Sequence, residues 1–349
     1  MENILKPRLQ EFKLSTPRLR EVFYVVLVPL SMAWGAVSSL RRRHFPKKKT
    51  YRSRLPVISI GNIHSGGSGK TPVTCALAKH FSERNPVVVS RGYRASLSDK
   101  GAKVDRQGSH AVGDEPWMLH RLFGLNVWIG KDRTKNIRAI ESGENSRLIL
   151  LEDGFQHFRV QRDVDLVLID TNQSIDEAHC IPLGNLREPI SALENADALL
   201  LTGSDPEKFA LWKDWAQREF SKIPIFEAKL KIEGLFYGDK PASELREKSL
   251  LGFSGIAGNS RFERSLSYCP KAVYLKGFQD HFNYQDEDVR EIIREGKERG
   301  VDAFVTTDKD WVKVERLFRE LDEVVLSLRI AYEFENSFWD YVEGKIKRP

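Results

Sequence analysis

Cysteine is scarce in this chain. Cys75, Cys180 and Cys269 are the only three among 349 residues, they lie far apart, and no C-x-x-C pair occurs. A disulfide framework and a thiolate zinc site are therefore not indicated, and the three thiols fit a reducing setting as small buried hydrophobes. The eight histidines show no H-E-x-x-H or similar metal spacing. There is no N-K-x-D motif of the kind that reads guanine, and no short repeat or low-complexity stretch. Long apolar runs are also missing, with one exception.

That exception is Val22–Leu40, "VFYVVLVPLSMAWGAVSSL", 19 residues without a charge. It starts too late for a signal peptide, and "RRRHFPKKK" follows where a small-residue cleavage site belongs. A spanning helix is possible by length, but Pro29, Gly35 and three serines weaken it. Thirteen Lys and Arg stand against three Glu in residues 1–54, a local charge of +10 within a chain of net +6. The basic balance thus belongs to this segment. Basic flanks around an apolar run favour an interfacial helix or hairpin on an anionic cytoplasmic leaflet. A buried core helix with a basic nucleic-acid tail is the alternative. No aromatic-rich RNA motif accompanies the basic residues, so no nucleic-acid partner is expected.

With 41% hydrophobic and 30% charged residues, the remainder has room for two cores. After the basic linker the chain alternates strand and helix patterns. "PVISIGN" reads as a strand, and a helix is expected from about Lys70 to His80. "PVVVSRGY", "NVWIG", "RLILLEDG", "DLVLID" and "ADALLLTG" read as further strands, with "DEPWMLHRLFG" and "DRTKNIRAIES" as helices. Repeated βα units predict a mostly parallel sheet covered by helices on both faces. Near residue 225, "IFEAKLKIEGLFYGD" alternates polar and apolar, as an extended connector or antiparallel hairpin does. Strand–helix alternation then resumes as a second, smaller α/β domain. The expected divisions are 1–54, 55–225 and 226–349.

The sharpest local signal is "ISIGNIHSGGSGKTP". A strand, then Gly61, Gly66, Gly67 and Gly69, then Lys70-Thr71 opening a helix is the arrangement a phosphate loop needs. Glycines let backbone N–H groups point inward, Lys70 brings a positive charge, and Thr71 can ligate Mg²⁺. His64 stands where the general pattern has its first glycine, but Gly66-Gly67 still supply permissive positions, so a P-loop NTPase-like core holding a nucleotide at His64–Thr71 is expected. "LILLEDGFQH" ends a strand in Glu152-Asp153, where a Mg²⁺-orienting carboxylate sits in such folds. Asp170, ending "DLVLID", competes with Asp153, which is favoured because Gly154, Gln156 and His157 adjoin it. "VGDEP" puts Asp114 and Glu115 at a helix N-terminus, either as helix-capping acids or as a general base and a metal-shell acid. "SRGY" closes a strand at the edge where α/β sheets bind ligands. Arg133 and Arg187 offer cations for phosphates. "GFQDHFNY" carries Asp280-His281, and "TTDKD" carries Asp308, Lys309 and Asp310.

Together "GNIHSGGSGKTP", "SRGY", "GDEP", "EDGFQHFRVQRDVDLVLID", "PLGNLRE", "DHFNY" and "TDKDWVK" resemble the tetraacyldisaccharide 4′-kinase (lipid A 4′-kinase) family, in family order, from the apolar N-terminal segment to about residue 315. The resemblance implies transfer of the ATP γ-phosphate to the 4′-hydroxyl of tetraacyldisaccharide 1-phosphate, giving lipid IVA, at the cytoplasmic face of the Gram-negative inner membrane. ATP and Mg²⁺ are the implied cofactors, and no obligate protein partner is implied. Position by position, Lys70 and Thr71 resemble the residues holding the β/γ-phosphates and Mg²⁺. Asp114 resembles the general base, with His281 as its helper. Glu115 and Asp153 resemble Mg²⁺-shell acids, and Tyr93, His157 and Arg187 resemble substrate or phosphate contacts. Glu152 departs from the family, which has Asp-Asp-Gly here; glutamate keeps the charge and reaches a methylene further. The glycine-rich loop and basic anchor alone also fit a membrane-bound nucleotide switch. A non-enzymatic tethered scaffold leaves the acids at the strand ends unexplained.

Overall fold

The computed structural model describes residues 17–45, 50–93, 95–173 and 178–347, with side chains from residue 25 onward. Lys47–Lys49 of the basic stretch and residues 1–16 lie outside the described residues.

A helix over Pro17–His44 precedes the sheet and contains Pro29. The first strands are β1 (Val57–Asn62), β2 (Val87–Ser90), β3 (Ala102–Lys103), β4 (Asn126–Ile129), β5 (Ile149–Glu152), β6 (Val164–Asp170) and β7 (Ala198–Gly203). A 13-residue strand, β8 (Ile225–Tyr237), follows. After it come β9 (Lys240–Pro241), β10 (Leu250–Ser254), β11 (Ala272–Gly277), β12 (Ala303–Thr306) and β13 (Val325–Glu333).

All belong to one sheet, ordered β11-β10-β12-β13-β8-β7-β6-β1-β5-β2-β4-β3, with β9 on β8. Among the strands of the described residues, only the β13–β8, β3–β4 and β8–β9 pairings are antiparallel. The central strands β1, β5 and β6 are buried along their whole length. This is why they read as mostly Val/Ile/Leu stretches rather than alternating ones: helices cover both faces of a parallel sheet.

The segment near residue 225 is a full strand. Ile225–Lys229 pairs parallel with β7, and Lys229–Phe236 pairs antiparallel with β13. One strand thus couples the two βα series, and its polar–apolar alternation records the half that is exposed on one face.

The helix Asp114–Phe123 also bridges the two series. It follows β2 in sequence, yet Met118 and Leu122 pack into the cluster of Phe253, Trp311 and Phe318 from the later strands and helices. That packing sets the position of Asp114 at the first turn. Among the described residues, no helix is long and apolar enough to cross a membrane.

Candidate active site

β1 ends at Asn62, and the glycine-rich loop leads into the helix Lys70–His80. Gly69, its N-cap, has φ 85°, and a Cβ there would lie 2.7 Å from the Tyr332 hydroxyl. Glycine is therefore required both by conformation and by space. Gly66 has φ 122°. The loop is anchored from behind: Asn62 Nδ2 donates to Ser68 Oγ at 2.7 Å, and Thr202 Oγ1 donates to the Ser68 carbonyl at 3.1 Å. Ser65, Gly66 and Gly67 face solvent.

The loop opens into a cleft of about 2190 Å³. Residues from "SRGY", "GDEP", "EDGFQH", "LRE", "DHFNY" and "TDKD" all line it, so motifs spread over more than 240 positions meet in one space. Lys70, Thr71, Tyr93, Asp114, Glu115, Arg133, Glu152, Asp153, His157, Arg187 and His281 all line the cleft, whereas His64, Asp170 and Asp310 do not. The His64 side chain is 2% exposed and sits behind the loop, where its backbone bridges to Leu186. Burial, aided by Lys70 and Arg187, pushes its pKa down to about 4 against the pull of Asp170.

Asp153, just beyond β5, adopts φ 49°, which turns its carboxylate into the cleft. Arg187 Nη1 binds both its oxygens, and Lys70 Nζ lies 3.4 Å from Oδ1. Arg133, 3% exposed, donates to the Asp153 carbonyl at 2.8 Å. Burial opposes ionisation of Asp153, but Lys70, Arg187 and Arg133 overcome it and hold the carboxyl well below the usual range.

Glu152 behaves oppositely. Burial, then Glu115 and Asp153, push it up to about 7. Ser90 Oγ donates to its Oε2 at 2.7 Å, while Oε1 finds no hydrogen-bond partner among the described residues. Two adjacent acids thus have divided environments. Asp170 belongs to a different arrangement: Arg261 donates to its Oδ2 at 2.8 Å and to the Gly67 carbonyl at 3.3 Å.

On the other wall, Asp114 Oδ2 lies 3.4 Å from His281 Nδ1 and 3.6 Å from Lys313 Nζ. Burial opposes ionisation, but the His281 hydrogen bond, Lys313 and Lys309 keep Asp114 below its ordinary pKa. The imidazole of His281, held at φ 59°, has the Tyr93 ring 5.9 Å away. Glu115 is paired with Lys309 at 3.3 Å. His157 is pushed down to about 3 by burial and by Arg133, Arg162 and Arg159.

Several contributors carried no sequence signal of their own. Arg261 looks like an ordinary surface cation, and Lys313 ends "TDKDWVK" without being a site candidate. Trp34 and Arg42 belong to the apolar helix, yet Trp34 Nε1 donates to the Arg187 carbonyl at 2.9 Å, and Arg42 Nε donates to Glu188 Oε2 at 3.1 Å. The fold brings Trp34 and Arg261 to the cleft lining, and lets Lys313 and Arg42 reach it through Asp114 and Glu188.

A glycine-rich strand-to-helix loop, a lysine at its end, acids on the facing strand end and an Asp–His pair opposite define an α/β phosphotransferase. The family model for tetraacyldisaccharide-1-P 4′-kinase matches residues 23–347, past the point near residue 315 where recognisable motifs stop. A tetraacyldisaccharide 4′-kinase of Desulfotalea psychrophila is 34% identical, with 86% of this chain and 91% of that protein covered. One from Vibrio vulnificus is 33% identical, with 85% of each covered. The crystal structure of "apo" form LpxK from Aquifex aeolicus in complex with ATP superposes with a TM-score of 0.72 at 25% identity, covering 92% of this chain and 98% of that one. The chain belongs to the tetraacyldisaccharide-1-P 4′-kinase family.

Proposed function

We infer that the cleft transfers the γ-phosphate of ATP to the 4′-hydroxyl of tetraacyldisaccharide 1-phosphate, forming lipid IVA in lipid A biosynthesis. The observation that supports it most is the pairing across one cleft of two opposed groups: Lys70, Asp153 and Arg187 on the loop side, and Asp114 with His281 on the other.

The loop Ser65–Thr71 acts as a P-loop on residues 55–225, its N–H groups and Lys70 holding the β- and γ-phosphates. Lys70 now rests on Asp153 and exchanges that partner for phosphate oxygens when nucleotide enters. Residues 226–349 supply the opposite wall, and 1–54 the membrane contact. Among the described residues, no group of three or more His, Cys, Asp and Glu is placed to hold a metal alone. This suits Mg²⁺, which is usually bound by one or two carboxylates together with substrate phosphates. The strongly acidic Asp153 and the unpartnered Glu152 Oε1 fit it, with Thr71 and Glu115 completing the set. When bound, Mg²⁺ neutralises charge on the β- and γ-phosphates.

The sugar 4′-oxygen attacks the γ-phosphorus, the bond from that phosphorus to the β-bridging oxygen breaks, and ADP leaves. Asp114 takes the hydroxyl proton. Among the described residues, His281 and Lys313 both bind its Oδ2, so Oδ1 is the oxygen that faces the hydroxyl. Tyr93, His157, Arg133 and Arg187 orient the disaccharide and its phosphates. The helix Pro17–His44 exposes Val25, Met32 and Val37. With its basic end it rests on the cytoplasmic leaflet of the inner membrane, as a peripheral or monotopic anchor beside an amphiphilic substrate.

Phosphate transfer from ATP to the disaccharide 1-phosphate in detergent micelles tests the reading. Lipid phosphorylation at the 4′ position is expected; ATP hydrolysis without a phosphorylated lipid would point to a nucleotide switch instead.

A further inference from the structure

Lys309, in the first turn of the helix Asp308–Glu320, reaches into the cleft and stops 3.2 Å from His281 Nε2. An ammonium group only donates hydrogen bonds. Nε2 must therefore offer its lone pair, and the proton of the neutral ring must sit on Nδ1, the nitrogen 3.4 Å from Asp114 Oδ2. A doubly protonated imidazole would turn an N–H toward the ammonium, and the opposite tautomer would leave Asp114 facing a lone pair. Both alternatives set like against like.

The lysine is well held for this purpose. Its Nζ lies 3.3 Å from Glu115 Oε1 and 3.5 Å from Asp280 Oδ1. Those carboxylates are the chain neighbours of Asp114 and His281 respectively, so a single cation ties the segments carrying both members of the pair. Its side chain is 15% exposed. Lys313, one turn further on, is anchored by Asp310 at 3.1 Å and the Phe282 carbonyl at 3.2 Å, and it points at Asp114. The two lysines therefore divide the pair between them.

We propose that Lys309 is a positioning residue that fixes His281 as its Nδ1–H tautomer, so that the imidazole donates to Asp114 and has no free nitrogen with which to take the substrate proton. The proposal rests on the reading of Asp114 as the base. It assigns His281 the task of aligning the Asp114 carboxylate, in the way that a neighbouring hydrogen bond sets which imidazole nitrogen carries the proton.

The test uses the full chain labelled with ¹⁵N-histidine, the His281 resonances being assigned by their loss in His281→Gln. Long-range ¹H–¹⁵N spectra should show a protonated Nδ1 and an unprotonated Nε2. In Lys309→Met and Lys309→Gln the Nε2–H form should appear, with kcat falling about 10- to 100-fold and the KM for ATP unchanged, while Lys309→Arg should restore most of both. An unaltered tautomer in the Met and Gln variants overturns the proposal whatever the activity. A changed tautomer with full activity overturns the positioning role while leaving Asp114 as base, whose failure would instead show as full activity in Asp114→Ala.

Discussion

Arg187 Nη1 lies 3.0 and 2.9 Å from the two oxygens of Asp153, so one guanidinium nitrogen grips a carboxylate that Lys70 also approaches at 3.4 Å. Two cations on one acid keep Asp153 charged, and they make it the strongest candidate for orienting the metal. Replacement by Asn keeps the shape but loses the charge. Asp153→Asn should lower kcat by about 10²–10³, the size expected when a preorganised electrostatic contact is lost. It should also raise the Mg²⁺ concentration needed for half-maximal rate. Titration of activity against Mg²⁺ checks this, and a variant with normal Mg²⁺ dependence would move the role to Glu152 or Asp170.

Asp114 and His281 are 167 positions apart in the chain, yet their side chains meet at 3.4 Å. Asp114→Ala should reduce kcat by about 10²–10⁴, the usual range for a general base, while ATP binding persists. His281→Gln should cost less. The double variant should be no slower than Asp114→Ala alone, because the imidazole works only through the carboxylate. Steady-state kinetics of the three variants decide the matter, and additive losses would show that His281 acts independently.

Acid should weaken the fold through two histidines. His64 and His157 take protons only near pH 4 and pH 3 in the folded chain, against about 6.5 when unfolded. The unfolded state therefore binds more protons below pH 6.5. Their stabilising contribution is complete above that pH and is lost as pH falls toward the folded values. For His64 the loss at pH 5 is about 2 kcal/mol. Glu152 runs the other way, since its proton is held up to about pH 7. The clean measure is thus a difference: urea midpoints at pH 7.5 and 5 should lie closer together in His64→Asn than in the parent chain. Equal gaps in the two would remove His64 from the account.

The parallel sheet was legible because strands buried on both faces are mostly apolar, as "LILL" and "LVLI" are. The loop was legible because Gly69 is demanded by its φ of 85° and by the nearby Tyr332 hydroxyl. Its environment was not. His64 looked like part of the phosphate cradle, but it packs behind the loop, a matter of which way one side chain turns. Asp153 was favoured over Asp170 only by its polar chain neighbours Gly154, Gln156 and His157. The structure separates them by partners, since Arg261 takes Asp170 while Lys70 and Arg187 take Asp153. Lys309 and Lys313 stood within "TDKDWVK", but a lysine on an amphipathic helix carries no mark of what it faces. That information resides in the packing of Met118 and Leu122 against the later core, which carries Asp114 to the lysines.

The N-terminal helix is keyed to the cleft as well as facing outward. Arg42 reaches the buried Glu188, whose pKa burial raises even so, and its guanidinium lies 4.0 Å from the Phe155 ring centre. Removing the cation strands a carboxylate that is 4% exposed. Arg42→Ala should therefore destabilise the fold by about 3–5 kcal/mol, and Arg42→Ala with Glu188→Gln should recover part of that loss. The outward side is separable. Val25, Met32 and Val37 are 74%, 71% and 61% exposed, so charging them disturbs no core. A Val25→Glu, Val37→Glu variant should keep its melting temperature and its ATP binding while losing sedimentation with vesicles rich in anionic lipid. Retained vesicle binding would place the lipid contact elsewhere on the chain. Unaltered stability in Arg42→Ala would show that the helix docks without this ion pair.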